Sequence, residues 1–181
     1  LIDLMVRYPN LMPSVHLSVQ AGDNLVLKRM GRRHTFEDVV SFAERLRRAL
    51  PLATLGADLI AGFPTETEVQ FQRTTDFIDA AQITHVHVVP DSAREGTPAA
   101  KMPMVPMQER TRRAAMARAA GQRVHAAWLN KMIGQSVAVL VERDGTGYTE
   151  NYLPVRVNQP DRAGTIITGM IQGKEDNVLV F

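Results

Sequence analysis

Apolar and polar residues alternate strictly over Ser14-Val15-His16-Leu17-Ser18-Val19-Gln20, the period of a β-strand with two unlike faces. Gly22 and Asp23 then turn the chain into a short helix that ends near Gly31. Thr35, with Asp38 three residues on, opens the next helix in the manner of a capping box. Phe36, Val39, Val40, Ala43, Leu46 and Leu50 follow at helical spacing, and Pro51 closes the run. Residues 53–61 read as a second strand. Gly62-Phe63-Pro64 is a turn, and Thr65 with Glu68 predicts the cap of a helix to about Ala81. Residues 84–89 are a third strand.

The order strand–helix–strand–helix–strand predicts parallel strands with helical crossovers. Three such strands leave parallel edges unpaired, so this part is either a small open α/β sheet or a piece of a barrel whose other strands lie outside it. Four prolines (Pro90, Pro98, Pro103, Pro106) mark 90–106 as a loop. A long Ala/Arg helix is expected from about 107 to 131. Beyond Gly134 the pattern changes to short β-rich runs at 136–142, 152–157, 164–171 and 177–181, which predict a small antiparallel barrel or sandwich with its own core. The expected division is thus 1–103, a basic linker helix at 104–133, and a β domain at 134–181.

Composition narrows the chemistry. With 181 residues, 45% apolar and no cysteine, the chain buries a real core and holds neither a disulfide nor a thiolate-bound zinc or iron–sulfur centre. The apolar stretch Leu52–Phe63 is short and contains Asp58, so no membrane span is expected. The first residue is Leu, which suggests a chain that starts inside a longer one.

Charge is uneven. Residues 101–131 hold seven Lys/Arg and one acid, Glu109, and Lys28, Arg29, Arg32 and Arg33 form a second basic knot. Such patches suit a polyanion, although helices also carry arginines that only meet water.

Buried parallel strands are normally apolar on both faces, and these are not. His16, Ser18 and Gln20 share one face of the first strand, Asp58 sits in the middle of the second, and His85 and His87 share a face of the third. Together they predict one wet cavity lined by three strands, with its working end at the strand C-termini. His85-x-His87, with Asp58 or His16, also has the residue types of a loose metal set or an acid–base pair. Gly62-Phe63-Pro64-Thr65-Glu66-Thr67 opens a helix and offers backbone N–H groups to a polar ligand, but it is neither a Walker A loop nor a dinucleotide fingerprint. Arg94 follows the third strand, where its fork suits a carboxylate or phosphate. No nucleophilic cysteine and no Gly-x-Ser-x-Gly elbow is present.

These residues resemble a known family. Val15-His16-Leu17-Ser18-Val19-Gln20-Ala21-Gly22-Asp23 is similar to the fourth-strand region of the radical-SAM tRNA methylthiotransferases. Asp58-Leu59-Ile60-Ala61-Gly62-Phe63-Pro64-Thr65-Glu66-Thr67 resembles their fifth-strand signature. Val86-His87-Val88 through Arg94-Glu95-Gly96-Thr97-Pro98-Ala99 resembles the sixth strand and its loop. Gly147-Tyr148-Thr149-Glu150-Asn151-Tyr152-Leu153-Pro154-Val155 is similar to the core of their C-terminal TRAM domain, an RNA-binding β-barrel. The His-Leu-Ser strand and the Tyr-Thr-Glu-Asn-Tyr-Leu segment point to the subgroup acting on N6-threonylcarbamoyladenosine.

The resemblance implies an α/β fold: about three βα units of a partial radical-SAM barrel, then a small all-β, OB-like TRAM barrel. It implies a cytoplasmic tRNA-modifying enzyme that places a methylthio group on C2 of the modified adenosine beside the anticodon, using S-adenosylmethionine and [4Fe–4S] clusters. The cysteines that hold those clusters are absent here, so the chain is expected to be a C-terminal fragment, inactive alone, whose partners are tRNA and a missing N-terminal half, with no DNA. By the same resemblance Gln20 and Asp58 would meet the ribose or amino-acid part of S-adenosylmethionine. The backbone at Gly62, Phe63 and Val88 would frame the adenine, and Arg94 the carboxylate or the substrate nucleotide. Arg110, Arg112, Arg113, Tyr148 and Tyr152 are the expected RNA contacts, although residues 134–181 hold four bases against six acids. The competing readings are a stand-alone RNA-binding module without catalysis, and a cluster-free enzyme using His85, His87 and Asp58.

Overall fold

A computed structural model describes residues 1–181, the side chain of Pro160 excepted. The chain divides into two compact units, one comprising His16–Arg48 and Leu55–Val124, the other Leu1–Val15, Ala49–Thr54 and His125–Phe181. In chain order the first elements are α1 (Ile2–Arg7), β1 (Ser14–Gln20), α2 (Asn24–Arg29), α3 (Phe36–Ala49), β2 (Thr54–Ala61), α4 (Glu68–Ala80), β3 (His85–Pro90), a 3₁₀ turn at Pro98–Lys101 and α5 (Met107–Met132). Of these, α1 and the 3₁₀ turn had no counterpart in the sequence pattern.

The α/β unit is built on a three-stranded sheet of order β1-β2-β3. β2 pairs β3 in parallel, in a register that sets Asp58 opposite His87 and Ile60 opposite Val89. β2 is central and mostly buried, as its apolar run requires. Helices cover one face of the sheet: a Cβ added to Gly121 in α5 would lie 2.6 Å from Val86 Cβ, so only glycine lets helix and strand approach this closely.

Helix starts follow the sequence with one correction. Asp23 caps α2, its Oδ1 accepting from the N–H groups of Leu25 and Val26, both at 3.0 Å. Thr35 and Asp38 bond reciprocally at the start of α3, as their spacing predicts. The cap of α4, however, is Thr67 paired with Gln70, not Thr65 with Glu68. Thr65 has φ +67°, and an N-cap needs an extended backbone, so the earlier match cannot cap.

The second unit carries β4 (Ser136–Val141), β5 (Thr146–Thr149), β6 (Pro154–Arg156), β7 (Ile166–Met170), β8 (Gly173–Glu175) and β9 (Val178–Val180), in the order β7-β4-β5-β6-β9-β8. The four expected runs are present as β4, β6, β7 and β9. β5 and β8 were missed because they are short and glycine-containing. The sheet is mixed rather than antiparallel, since β9 returns alongside β6 in parallel. Its core is built from alternating Val137, Val139 and Val141 with Leu153, Val155 and Leu179, and the end of α5 adds Leu129 and Met132. The residues of α5 are shared between the units, with the division after Val124. Among the described residues, no helix is long and apolar enough to cross a membrane.

Candidate functional site

The uncovered face of the three-stranded sheet gathers the polar residues that the alternation singled out. Asp58 Oδ1 lies 3.1 Å from His16 Nε2 and 3.0 Å from His87 Nδ1, so one carboxylate oxygen is shared by an imidazole from each flanking strand. The three side chains are 37%, 54% and 69% exposed. Gly56 makes room for this arrangement, because a Cβ there would come within 2.5 Å of His16 Nδ1. Desolvation pushes the Asp58 carboxyl upward, but hydrogen bonds from His87 and His16 and the attraction of both rings outweigh it, and the group is held below its usual value. Among the described residues, no group of three or more His, Cys, Asp or Glu is placed to hold a metal ion. The His85–His87 pattern thus resolves into a hydrogen-bonded His16–Asp58–His87 set.

Gln20 ends β1 with φ +78° and is buried. Two residues beyond Asp58 and His87 along β2 and β3, Ile60 and Val89 stand opposite each other on the same face, Val89 exposed and Ile60 half-buried. The face therefore carries a polar centre and, next to it toward the strand C-termini, a small apolar platform.

The turn after β2 differs from expectation. Gly62, at φ +76°, packs its α-carbon against the side chain of Arg110, and its N–H donates to Glu66 Oε2 at 2.9 Å. The N–H groups of Thr65, Glu66 and Thr67 bond Pro103 O, Phe63 O and Gln70 Oε1. These amides serve the turn itself and are not open to an anion. The Phe63 ring is buried with Ala21, Val26 and Leu27. Val88 is buried and its carbonyl accepts from Arg118 at 3.0 Å. Arg94 is exposed in the loop after β3.

The expected RNA-binding arginines sit in different surroundings. Arg113 is sealed inside the α/β unit: Nη1 donates to Glu66 Oε2 at 2.8 Å and to Glu66 O at 2.9 Å, Nε donates to Glu109 at 2.9 Å, and the guanidinium lies 5.6 Å from the Phe71 ring centre. It has no surface to offer a phosphate. Arg112 is exposed but bound by both Glu68 and Glu109. Arg110 donates to the Asp91 carbonyl. Hydrogen bonds from Arg112 and then Arg113 hold the Glu109 carboxyl at about 2. Counting charge along 101–131 missed Glu66 and Glu68, which pair with Arg112 and Arg113 from another part of the chain. Glu66 itself is pushed upward by burial despite Arg113 and the Gly62 N–H. Burial likewise raises Asp91, against the pull of Arg110.

In the β unit, Tyr148 and Tyr152 stack on one another, ring centres 4.9 Å apart and planes 13° off parallel. Both are exposed, and Leu140, paired with Tyr148 and Ile166 in the sheet, continues an exposed apolar row. Asn151, between the tyrosines in sequence, is structural: buried, it donates to Leu52 O at 2.8 Å and accepts through its own carbonyl from Thr54 at 2.7 Å. Sequence reasoning singled out neither Glu66 as the partner of Arg113 nor Arg118 as that of Val88. Both pairings join residues far apart in the chain, and no local spacing signals them.

Comparison with known proteins finds relatives for this sequence. Residues 1–78 match the model of the radical SAM superfamily. Across 99% of its length the chain is 40% identical to the threonylcarbamoyladenosine tRNA methylthiotransferase of Rickettsia prowazekii, covering 42% of that protein. Over 90% of its length it is 36% identical to the tRNA-2-methylthio-N(6)-dimethylallyladenosine synthase of Staphylococcus haemolyticus, covering 33%. The synthase of the same name from Roseobacter denitrificans is 39% identical over 76% of the chain and covered to 31%. The chain thus spans less than half the length of the curated relatives it matches.

Proposed function

We propose that the chain, 40% identical over 99% of its length to a threonylcarbamoyladenosine tRNA methylthiotransferase and matching the radical SAM superfamily over residues 1–78, serves as the adenosyl-binding and RNA-binding portion of such an enzyme. The reaction is transfer of a methylthio group to C2 of N6-threonylcarbamoyladenosine beside the tRNA anticodon. That substrate is favoured by the 40% identity over 99% of the chain to a relative named for it, against lower identity or coverage for the dimethylallyladenosine synthases.

The carrying observation is the open sheet face. An adenosyl ligand needs an apolar surface for its purine and acceptors for its hydroxyl and ammonium groups. Ile60 and Val89 supply the first and the Asp58 set the second; Gln20, buried at the end of β1, is a proposed ribose contact beside them. S-adenosylmethionine, when bound, supplies the adenosyl and methyl groups. In this role the Gly62–Phe63 backbone and Val88 frame the purine by position, while their bonds to Glu66 and Arg118 keep them rigid. Arg94, exposed in the loop after β3, is the proposed partner of the ligand carboxylate or the target nucleotide. An iron–sulfur cluster does not fit the residues present, because the chain has no cysteine. By itself the chain is expected to be inactive.

Tyr148 and Tyr152 are the RNA contacts that the geometry supports, as an exposed stacking platform. Arg113, 6% exposed and paired with Glu66, is a structural residue in this reading. The lack of cysteine together with this platform favours one second reading, a non-catalytic RNA-binding module. Nucleoside analysis of tRNA from cells in which the gene is deleted decides between them. Loss of the methylthio group from N6-threonylcarbamoyladenosine supports the enzyme; an unchanged nucleoside profile refutes it.

A further inference from the structure

An ionised carboxylate only accepts hydrogen bonds, so both rings that meet Asp58 Oδ1 must donate to it. His16 donates through Nε2 and His87 through Nδ1. A neutral imidazole has one N–H and one bare nitrogen, so this geometry fixes both tautomers. The bare nitrogen of His16 is Nδ1, which lies over the Gly56 backbone and is hemmed in there. The bare nitrogen of His87 is Nε2, at the far end of the most exposed ring of the three. Its strand neighbour on this face is His85, half-buried, and across the strands stand Asp58 and then His16.

We propose that His87 is the ligand-contacting residue at the centre of the open face, accepting through Nε2 a hydrogen bond from a hydroxyl or ammonium group of an adenosyl ligand, and that Asp58 is a positioning residue that fixes the ring and its tautomer. The proposal rests on the adenosyl-binding reading above and changes its assignment: Asp58 acts through His87 instead of touching the ligand itself. It explains why an aspartate on an exposed strand face spends one oxygen on two rings. The direction of the bond is the useful part. An asparagine at 58 would keep the shape but offer N–H as well as C=O, and its amide would favour a bare Nδ1 on His87. Nε2 would then carry the proton and present a donor where the ligand needs an acceptor.

The test is histidine nitrogen NMR on the whole 181-residue chain in mildly alkaline solution, first alone and then with S-adenosylmethionine or N6-threonylcarbamoyladenosine nucleoside as separate probes. Expected alone are a protonated Nδ1 and bare Nε2 on His87, the reverse on His16, and a shift of His87 toward protonated Nε2 in Asp58→Asn. A protonated Nε2 on His87 in the unsubstituted chain overturns the proposal without any ligand. Expected with the probe that binds is a displaced His87 Nε2 signal, lost in His87→Phe and at least ten-fold weaker in affinity in Asp58→Asn. Amide shifts at Gly62 and Phe63 with an unmoved His87 Nε2 would overturn the proposal and leave adenosyl binding standing. No shift from either probe would overturn both.

Discussion

Arg113 and Glu66 form an ion pair closed off from solvent: Nη1 and Oε2 are 2.8 Å apart, and the side chains are 6% and 0% exposed. The pair ties the second turn of α5 to the turn after β2, forty-seven residues earlier in the chain. Removing one partner of a buried pair strands the other charge, which costs about 3–5 kcal/mol. Arg113→Met should therefore lower unfolding free energy by about that amount in urea melts. Without the guanidinium, Glu66 moves further above its ordinary value. A raised folded value means stability is fullest below the unfolded value and is lost as pH rises through the folded one. The Arg113→Met deficit should therefore shrink in acid. A deficit that grows in acid would contradict the pairing.

Asp58 titrates in the opposite sense. Its folded value lies below the ordinary ~3.9 of an aspartate, so its contribution is complete above that value and disappears as pH falls through the folded one. Carboxyl-carbon NMR should find Asp58 still ionised where exposed aspartates are half protonated. The stability difference between the unsubstituted chain and Asp58→Asn should close in the same acid range.

Gly56→Ala separates the two rings. The added Cβ would crowd His16 Nδ1 and displace that ring from Asp58, while the His87 contact on the other side remains. The Asp58 carboxyl should then titrate higher than in the unsubstituted chain and lower than in a His16→Ala, His87→Ala double variant. An unchanged value in Gly56→Ala would show that His16 contributes nothing.

The stacked tyrosines predict sequence-tolerant RNA contact. Base–aromatic stacking contributes ~1–3 kcal/mol per base, so Tyr152→Ala should weaken binding of an anticodon stem-loop by that amount in filter binding. Because residues 134–181 carry more acids than bases, the salt dependence should be shallow for a β unit acting alone. A Tyr152→Ala affinity equal to that of the unsubstituted chain would remove the platform from the account.

Much of the fold was legible because its signals are local. The alternation over 14–20 placed His16, Ser18 and Gln20 on one face. The Thr35–Asp38 spacing placed a helix start. A single charged residue in the apolar run 53–61 marked Asp58. What was illegible depends on partners distant in sequence. Thr65-x-x-Glu68 and Thr67-x-x-Gln70 both match a capping pattern, and only the left-handed backbone at Thr65 decides between them. The charge count along α5 does not reveal that Arg112 and Arg113 are paired with Glu68 and Glu66, more than forty residues earlier in the chain. The short strands β5 and β8 carry too few apolar residues to show a period.

The central claim is that the uncovered face of β1, β2 and β3 takes an adenosyl group. Calorimetric titration of the chain with S-adenosylmethionine, beside Asp58→Ala and Ile60→Asp, tests it most directly. The account predicts saturable binding at one site, weakened at least ten-fold by each substitution with the fold intact by circular dichroism. Binding of equal strength in all three proteins, or none in the unsubstituted chain, would contradict it.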